Sequence, residues 1–477
     1  MPVHHHNKTK IIATIGPATS DADKLKEIIH AGVDVCRLNF SHGSHDVHQT
    51  VLERIRAINA ELGTHICILQ DLQGPKLRIG KVDGESIRLE AGKRIAVTSK
   101  PSLSTPELLY VSYDPIGDDV KPGERILLDD GKVELKAIEV TGPDGLIAEV
   151  VQGGILTSNK GFNLPDSHLT VPCMTEKDLA DLEFGLKNNV EWIALSFVRR
   201  PEDIIELKER IAAAGKHCRV IAKIEKPEAV ANIEKIVRVA DGIMVARGDL
   251  GVEVPLQKVP LIQKSIVEKC LVAGKPVIIA TQMMESMITN SMPTRAEITD
   301  VANAVLDGAD AVMLSAETSV GQFPVRVVEV MERIISDVEA DRRVYYKGQR
   351  PTPESPSFIS DEVCFTAVRM SDHLQAKAIV AMTKSGYTGF KVASYRPQAS
   401  VFIFTNNEAL LNTLSLVWGV RGFYYDRFVS TDDTFNDVID ILKQEGMVKE
   451  GECVINCASM PIQQKLRTNA IKVSIVN

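Results

Sequence analysis

Short apolar runs recur along the first two thirds of the chain, and each of them ends in polar residues. Eight such runs are present, beginning near Lys10, Asp34, Ile66, Trp192, Arg219, Gly242, Pro276 and Asp310. Continuous rather than alternating apolar runs are typical of parallel strands that are covered on both faces. Because helical patterns lie between most of the runs, the sequence predicts an α/β fold built on a (β/α)8 TIM barrel.

The spacing of the runs is interrupted once, between the third and the fourth. The intervening residues, 73–169, show short strand patterns separated by turn signals at Asp130-Gly131 and Asp144-Gly145. We expect a small β-barrel domain inserted in a loop at the carboxyl-terminal face of the main barrel, where active sites of this fold lie. Such a domain would act as a lid that excludes water, unless it is an insertion without a role.

After the eighth run, three prolines between residues 351 and 356 indicate a linker. Beyond the linker, strands and helices alternate again, which predicts a separate C-terminal α/β domain. The expected division of the chain is a barrel of residues 1–72 and 170–342, a lid of residues 73–169, and a C-terminal domain of residues 355–477.

Composition and charge argue against several classes of partner. The formal net charge is −8 and no basic block is present, which argues against a nucleic-acid or anionic-membrane surface. No run reaches the roughly 18 apolar residues of a membrane span. The N-terminus has no signal-peptide core, and its residues His4–His6 are expected to form a solvated tail. Eight cysteines without a CxxC pair are typical of reduced thiols, so we expect a cytoplasmic protein.

Polar side chains follow the apolar runs where the strands are expected to end. Residues two apart in a strand share a face, so neighbouring polar positions at one strand end point the same way, with a turn at Gly248 as the alternative for Arg247 and Asp249. These positions are Arg37, Asn39, Ser41, Asp71, Ser196, Lys223, Glu225, Arg247, Asp249, Thr281, Gln282, Ser315 and Glu317. Charges of both signs gathered at one rim indicate an active site, with a merely solvated rim as the alternative.

Four of these rim residues suit phosphoryl transfer. Glu225 and Asp249 offer hard oxygen ligands of the kind that Mg²⁺ prefers. Lys223 and Arg37 would supply positive charge beside that site. A metal and two cationic side chains together provide the charge compensation and positioning that phosphoryl transfer needs. A local ion pair between Lys223 and Glu225 is the alternative.

A series of motifs carries a family resemblance. In chain order they are TKIIATIGPAT, RLNFSHG, DLQGPKLR, NKGFNLP, SFVR, AKIEKPEAV, MVARGDLGVE, TQMMESM and PTRAEITDVANAVLDGADAVMLSAET. From Lys8 to about Val320 the chain resembles the pyruvate kinase family, and the inserted and C-terminal domains match that family's layout. The resemblance implies a Mg²⁺-dependent phosphotransferase that acts on phosphoenolpyruvate and ADP and yields pyruvate and ATP, the final step of glycolysis.

The resemblance also implies roles for individual rim residues. Arg37 would hold the phosphoryl group of phosphoenolpyruvate, and Lys223 would stabilise the transferring phosphoryl group and the enolate oxygen. The Gly248 backbone would approach the substrate carboxylate, and Thr281 would lie near the methylene carbon that is protonated. The essential Mg²⁺, for which Mn²⁺ can substitute, would be held by two carboxylates, Glu225 and Asp249.

A nucleotide site and a monovalent-cation site follow from the same resemblance. The nucleotide-binding residues would be Asn39, His42, Arg78 and, from the lid, Lys160. The cation ligands would be Asn39, Ser41 and Asp71. At Lys76 the chain departs from many members of the family, which carry Glu and require K⁺. Because a tethered ammonium can replace a bound cation, we expect K⁺ not to be required, unless Lys76 points to solvent.

The C-terminal domain carries a second candidate site. A loop that follows a predicted strand and opens a helix contains Thr383, Lys384, Ser385, Gly386 and Thr388. Hydroxyl groups, a lysine and backbone N–H groups at a helix N-terminus can form an anion site, although a plain capping loop is the alternative. The resemblance implies that this loop binds the phosphate of an allosteric activator, a sugar phosphate or AMP, and that the protein is a homotetramer.

Two other functions stay open at this level. One is another Mg²⁺-dependent barrel enzyme acting on phosphoenolpyruvate or pyruvate, such as an aldol lyase, which would not need the lid residues Arg78 and Lys160. The other is a non-catalytic regulator that binds phosphorylated metabolites. Such a protein would not need the intact set of Lys223, Glu225, Asp249 and Thr281.

Overall fold

The computed structural model describes residues 7–427, 430–460 and 467–477. The expected solvated tail, His4–His6, lies outside the described residues. Within those ranges, no helix combines the length and the apolar character needed to cross a membrane.

The first part of the chain supplies three buried strands and the helices between them. These elements are β1 (Lys10–Thr14), α1 (Ala22–Ala31), β2 (Val35–Asn39), α2 (His45–Leu62) and β3 (Cys67–Asp71). Every residue of β1 and β3 is buried, as expected from their continuous apolar runs. Helix α1 starts at Asp21, whose side chain accepts hydrogen bonds from the N–H groups of Asp23 and Lys24.

The inserted segment is almost entirely β-structure. Its elements are β4 (Ile87–Leu89), β5 (Arg94–Thr98), β6 (Leu108–Tyr110), α3 (Ile116–Asp119), β7 (Arg125–Leu128), β8 (Val133–Gly142), β9 (Gly145–Gln152), β10 (Gly154–Leu156) and β11 (Phe162–Asn163). They form one six-stranded sheet in the order β11-β7-β8-β9-β5-β6 and a two-stranded sheet of β10 and β4. A separate apolar cluster fills this segment, so it has a core of its own.

The chain then returns to complete the barrel. The elements of this part are α4 (Glu176–Lys187), β12 (Trp192–Leu195), α5 (Pro201–Ala213), β13 (Arg219–Ile224), α6 (Pro227–Ala231), α7 (Ile233–Val239), β14 (Gly242–Ala246), α8 (Arg247–Glu253), α9 (Val259–Ala273), β15 (Val277–Ala280), α10 (Arg295–Asp307), β16 (Ala311–Leu314), α11 (Ala316–Ser319) and α12 (Pro324–Glu339). Eight parallel strands close in the order β1-β16-β15-β14-β13-β12-β3-β2. The predicted (β/α)8 barrel is confirmed.

One local feature of the rim was left open by the sequence. The pattern allowed a shared strand face for Arg247 and Asp249, with a turn at Gly248 as the alternative; β14 ends at Ala246 and both residues lie in α8. The N-terminal turn of a helix, rather than a strand end, therefore presents Asp249. At the start of α4, Thr175 and Asp178 exchange hydrogen bonds and form a capping box.

The C-terminal domain is a five-stranded sheet with helices packed against it. Its elements are α13 (Phe358–His373), β17 (Ala378–Met382), α14 (Tyr387–Ser394), β18 (Ser400–Thr405), α15 (Glu408–Leu414), β19 (Val420–Tyr424), α16 (Thr431–Gln444), β20 (Cys453–Ala458) and β21 (Ala470–Ile475). The strand order is β19-β18-β17-β20-β21, and only the β20–β21 pair is antiparallel.

This domain packs against the amino ends of the barrel strands. Trp192, which opens β12, donates from its indole N–H to the carbonyl of Thr413 at 3.1 Å. Asp310, next to the start of β16, accepts from the buried guanidinium of Arg396 at 2.7 Å. The opposite rim, where the strands end, is left to face the inserted segment. The residue bounds expected for the three units stay a prediction.

Candidate active site

The predicted rim residues lie where consecutive barrel strands end. Arg37 belongs to β2, Asp71 is the last residue of β3, and Lys223 is in β13. Asn39 lies opposite Asp71 in the parallel register of β2 and β3. Ser196 directly follows β12, which separates β3 from β13 in the barrel. Four neighbouring strands therefore direct polar residues to one place.

A buried carboxylate holds the two cations of the rim. Asp71 is only 1 % exposed. Its Oδ2 accepts hydrogen bonds from Arg37 at 2.7 Å from Nε and 2.6 Å from Nη2, and its Oδ1 lies 3.1 Å from Lys223 Nζ. Burial alone would raise the pKa of Asp71, but the charges of Lys223 and Arg37 outweigh it and hold the pKa below its usual value. Asp71 therefore stays ionised at neutral pH.

Lys223 is the centre of this network. Besides Asp71, its Nζ lies 3.1 Å from Glu225 Oε1 and donates to Ser196 Oγ at 2.6 Å. Ser196 in turn donates to the carbonyl of Leu72 at 2.6 Å. Burial by itself lowers the pKa of Lys223, but Asp71 and Glu225 raise it above its usual value. We call the four charged residues, Arg37, Asp71, Lys223 and Glu225, the Asp71 cluster.

Glu225 is held at both of its carboxylate oxygens. Its Oε2 accepts the backbone N–H of Phe197 at 2.7 Å. Phe197 has a φ of +55°, a left-handed conformation that is uncommon for a non-glycine residue and costs free energy. Burial raises the pKa of Glu225, and the negative charge of Asp249 raises it further against the opposing charge of Lys223. The two carboxylates thus repel each other across the rim.

The carboxylates Glu225 and Asp249 fit a divalent cation. Their mutual repulsion is what a bound cation would relieve. In the part of the chain that the structure describes, no group of three or more His, Cys, Asp or Glu residues is arranged to bind a metal. Two carboxylates alone suit Mg²⁺, which usually takes one or two from the protein and completes its shell with water and phosphate oxygens.

Thr281 and Gly248 form a second, strained corner of the rim. Thr281 and Gln282 follow β15 with φ values of +67° and +54°. The hydroxyl of Thr281 accepts the N–H of Gly248 at 2.7 Å and donates to the carbonyl of Ala280 at 2.6 Å. The left-handed turn therefore turns Thr281 toward the start of α8, where Asp249 lies.

Two supporting groups were missed by sequence reasoning. Arg247 donates to the carbonyl of Thr281 at 2.7 Å and pairs with Asp300 at 2.7 Å, so Asp300 helps to fix the Thr281 corner. Asp300 lies in the PTRAEITD segment, which contributed to the family resemblance but was given no role at the rim. The N–H of Phe197 was also missed, because a backbone donor leaves no signal in the sequence.

Lys76 reaches the candidate metal site. Its Nζ lies 3.4 Å from Asp249 Oδ1, so the side chain does not simply point to solvent. At the expected monovalent-cation site, the side-chain oxygen of Asn39 accepts the N–H of Ser41 at 3.1 Å. The third expected ligand, Asp71, has its oxygens facing Arg37 and Lys223. Cationic side chains thus already surround this part of the rim.

The expected nucleotide-binding residues lie on two parts of the molecule, the inserted segment and the barrel. Arg78 and Lys160 occupy adjacent segments of the insertion, since the N–H of Ile79 donates to the carbonyl of Lys160 at 3.0 Å. Lys160 pairs with Asp129 at 2.9 Å. His42 is exposed on the barrel, and its carbonyl contacts the ring of His48 at 2.9 Å. No hydrogen bond among the described residues joins His42 to Arg78 or Lys160.

The expected effector loop lines a large cavity between the C-terminal domain and the barrel. The cavity has a volume of about 1240 Å³ and includes Thr383, Lys384, Ser385 and Thr388. Gly386 adopts a φ of +84° and donates its N–H to Thr383 Oγ1 at 3.0 Å. Four further cationic side chains at this cavity were not predicted: Lys208, Lys216, Arg219 and Arg467. They come from other elements, so only the fold brings them to the loop.

Comparison with known proteins agrees with this architecture. Residues 6–328 match the family described as pyruvate kinase, barrel domain, and residues 361–474 match pyruvate kinase, alpha/beta domain. The chain is 42% identical to a pyruvate kinase of Geobacillus stearothermophilus, over 98% of this chain and 80% of that protein. It is 43% identical to one of Corynebacterium glutamicum, over 98% of both.

A solved structure is similar over nearly the whole length. It is a pyruvate kinase from Cryptosporidium parvum, with a TM-score of 0.92, 33% identity, and coverage of 99% of this chain and 96% of that one. Two family models, curated relatives and a solved structure thus agree over almost the entire sequence: the chain belongs to the pyruvate kinase family.

Proposed function

We propose that the Asp71 cluster is the centre at which this enzyme transfers the phosphoryl group of phosphoenolpyruvate to ADP, yielding pyruvate and ATP. One observation carries the proposal: a buried carboxylate fixes Arg37 and Lys223 beside Glu225 and Asp249. Charges that are fixed before the reaction stabilise a transition state without reorganisation. Family membership speaks against both alternatives, a lyase and a non-catalytic regulator.

The cationic residues would act on the phosphoryl group. Arg37 binds the phosphoryl oxygens of phosphoenolpyruvate, and Lys223 compensates the charge on the transferring group and then on the enolate oxygen. The Gly248 backbone lies toward the substrate carboxylate. Thr281, whose hydroxyl is held by Gly248, orients the methylene carbon for protonation. The fixed position of Lys223 between two carboxylates supports this assignment.

The family requires a divalent metal in general, and we assign Glu225 and Asp249 as the protein ligands of Mg²⁺ or, in its place, Mn²⁺. When bound, the cation supplies charge compensation to the phosphoryl oxygens. The N–H of Phe197 holds one oxygen of Glu225 in place, which supports its role as an oriented ligand.

The inserted segment would act as the lid over ADP. Arg78 and Lys160 contact the nucleotide phosphates from the lid, while Asn39 and His42 contact the nucleotide from the barrel. The adjacency of the Arg78 and Lys160 segments supports a joint role. In the ion pair of Lys160 with Asp129, the lysine side chain is 40% exposed, so it can leave Asp129 for a phosphate.

Lys76 would take the place of a required K⁺. Its ammonium already contacts Asp249, which supports a tethered positive charge near the substrate phosphates. Asn39, Ser41 and Asp71 then form a cation site that the reaction does not need to fill.

Regulation and assembly complete the proposal. Thr383, Lys384, Ser385, Gly386 and Thr388 bind the phosphate of an activating sugar phosphate or AMP, and the cationic lining of the cavity supports an anionic ligand. We further propose a cytoplasmic homotetramer divided into a barrel, a lid and a C-terminal domain within the bounds expected from the sequence.

Replacing Lys223 by Met tests the central role. The variant should lose at least about 10²–10³-fold in turnover, because a preorganised charge at the transferring group is removed. The measurement is a coupled assay with phosphoenolpyruvate, ADP and Mg²⁺. Lys264→Met is a matched control, since Lys264 pairs with Asp307 on the outside of the barrel. Turnover of Lys223→Met close to that of the control would rule out the role.

Potassium dependence tests Lys76. The wild type should run at nearly full rate in buffer without sodium or potassium, whereas Lys76→Glu should lose most activity there. Added K⁺ should restore the variant only partly, because Leu72 and Ile79 are apolar where K⁺-dependent relatives tend to carry Thr. Lys81→Glu, an exposed charge reversal on the lid, is the control. Stimulation of the wild type by more than about tenfold, or 1.4 kcal/mol, would contradict the proposal.

The effector loop should be separable from catalysis. Ser385→Asp places a carboxylate in an anion cavity, so it should abolish activation by phosphorylated ligands and leave basal activity unchanged. Glucose 6-phosphate, ribose 5-phosphate, fructose 1,6-bisphosphate and AMP are compared on both proteins, with Ser385→Ala as the uncharged control. Failure of all four to activate the wild type would defeat the assignment.

A further inference from the structure

The last strand of the lid is tied to the barrel by a buried polar contact. Asn163, the final residue of β11, donates from Nδ2 to Oε1 of Glu253 at 2.7 Å. Glu253 is the last residue of α8, and its side chain has no exposed surface. The Nζ of Lys226 donates to the same oxygen at 2.6 Å, and this side chain is 8 % exposed.

Glu253 depends entirely on these two partners. Its other oxygen, Oε2, is buried and has no hydrogen-bond partner within the described part of the chain. A buried carboxylate is costly unless it is paired, so the contacts from Lys226 and Asn163 are strongly favoured. This lid–barrel contact is therefore buried, whereas the ion pair that Lys76 makes with Asp249 is partly exposed and contributes less.

The position of this contact along the chain gives it a functional meaning. Lys226 directly follows Glu225, and Glu253 lies one helical turn after Asp249 on α8. The ion pair of Lys226 with Glu253 thus joins the two segments that carry the assigned metal ligands. On the lid side, Asn163 closely follows Lys160, which the proposed function assigns to the nucleotide phosphates.

Two further hydrogen bonds hold the segment in which the lid returns to the barrel, but the side chains around it are not fully packed. Arg199 donates to the carbonyls of Leu169 and Val171, where the lid returns to the barrel. A small cavity of about 20 Å³ remains beside Asn163 and Lys226. It has room for about one water molecule, so the side chains of the lid and the barrel do not completely fill the space between them here.

We propose that Asn163, Glu253 and Lys226 form an anchor that sets the distance between the lid cations and the metal carboxylates. These are positioning residues, since they act on the nucleotide through Lys160 and on the metal ligands through their neighbours in sequence. The inference rests on the proposed function in one respect, the role of the lid in binding ADP. It assigns the lid position to a specific buried contact rather than to the length of its connecting strands.

Asn163→Ala is the variant that tests the anchor. It removes one donor and leaves Glu253 paired with Lys226, so the protein should fold. The half-saturating ADP concentration should rise about five- to tenfold. This is less than the full effect of losing a hydrogen bond to a charged group, because only part of that free energy reaches ADP binding. The half-saturating phosphoenolpyruvate concentration should stay within about twofold, because that substrate is assigned to the barrel rim.

Two reference variants and a second measurement separate the outcomes. Gln152→Ala loses one amide hydrogen bond inside the lid, to the carbonyl of Lys132, and should leave both constants unchanged. Lys160→Met should weaken ADP binding directly. Hydrogen exchange should become faster in residues 160–171 of Asn163→Ala and remain unchanged in the barrel strands.

The neutral double variant Lys226→Met with Glu253→Gln provides a check that does not leave a buried charge unpaired. It should fold and should also weaken ADP binding selectively. If Lys160→Met raises the half-saturating ADP concentration and Asn163→Ala does not, the proposed anchor is wrong and the proposed lid function stands. If Lys160→Met has no effect, the proposed nucleotide role fails instead. Unchanged exchange in residues 160–171 overturns the anchor in either case.

Discussion

The buried charge of Asp71 is the constraint on which the rest of the site depends. An ionised carboxylate can remain inside a protein only when cations compensate it, and here Arg37 and Lys223 do so at hydrogen-bond distance. Once Lys223 is fixed, it also meets Glu225, whose other oxygen is held by a strained backbone N–H. The charges are therefore ordered before any ligand binds, as charge-stabilised transition states require.

The barrel makes this arrangement possible because the carboxyl ends of its parallel strands lie side by side. Residues far apart in sequence, such as Asp71 and Lys223, lie near the ends of strands that are separated only by β12 in the closed parallel sheet. The C-terminal domain covers the opposite end, so one rim is free for the lid. In this account the lid brings its cations to the charges of the rim, and a buried contact with α8 sets the distance between the two.

Much of this could be predicted from the sequence, and the failures have physical causes. Eight continuous apolar runs predicted the barrel, and polar strand ends predicted the rim, since both follow from local pattern. Arg247 and Asp249 lie in α8 because the chain passes directly from β14 into a helix, and the glycine between them was the local sign of that turn. The pairing of Lys226 with Glu253 and the N–H of Phe197 depend on tertiary approach, which no local pattern encodes.

The central claim is that Glu225 and Asp249 hold a divalent metal beside the Asp71 cluster, and direct metal binding tests it best. Mn²⁺ binding is measured by electron paramagnetic resonance on the wild type, Glu225→Gln, Asp249→Asn and the distant control Asp307→Asn. The account predicts one Mn²⁺ displaced by Mg²⁺, with affinity about tenfold or more weaker in the first two variants, each of which loses a formal charge. Wild-type affinity in both would place the metal elsewhere and contradict the account.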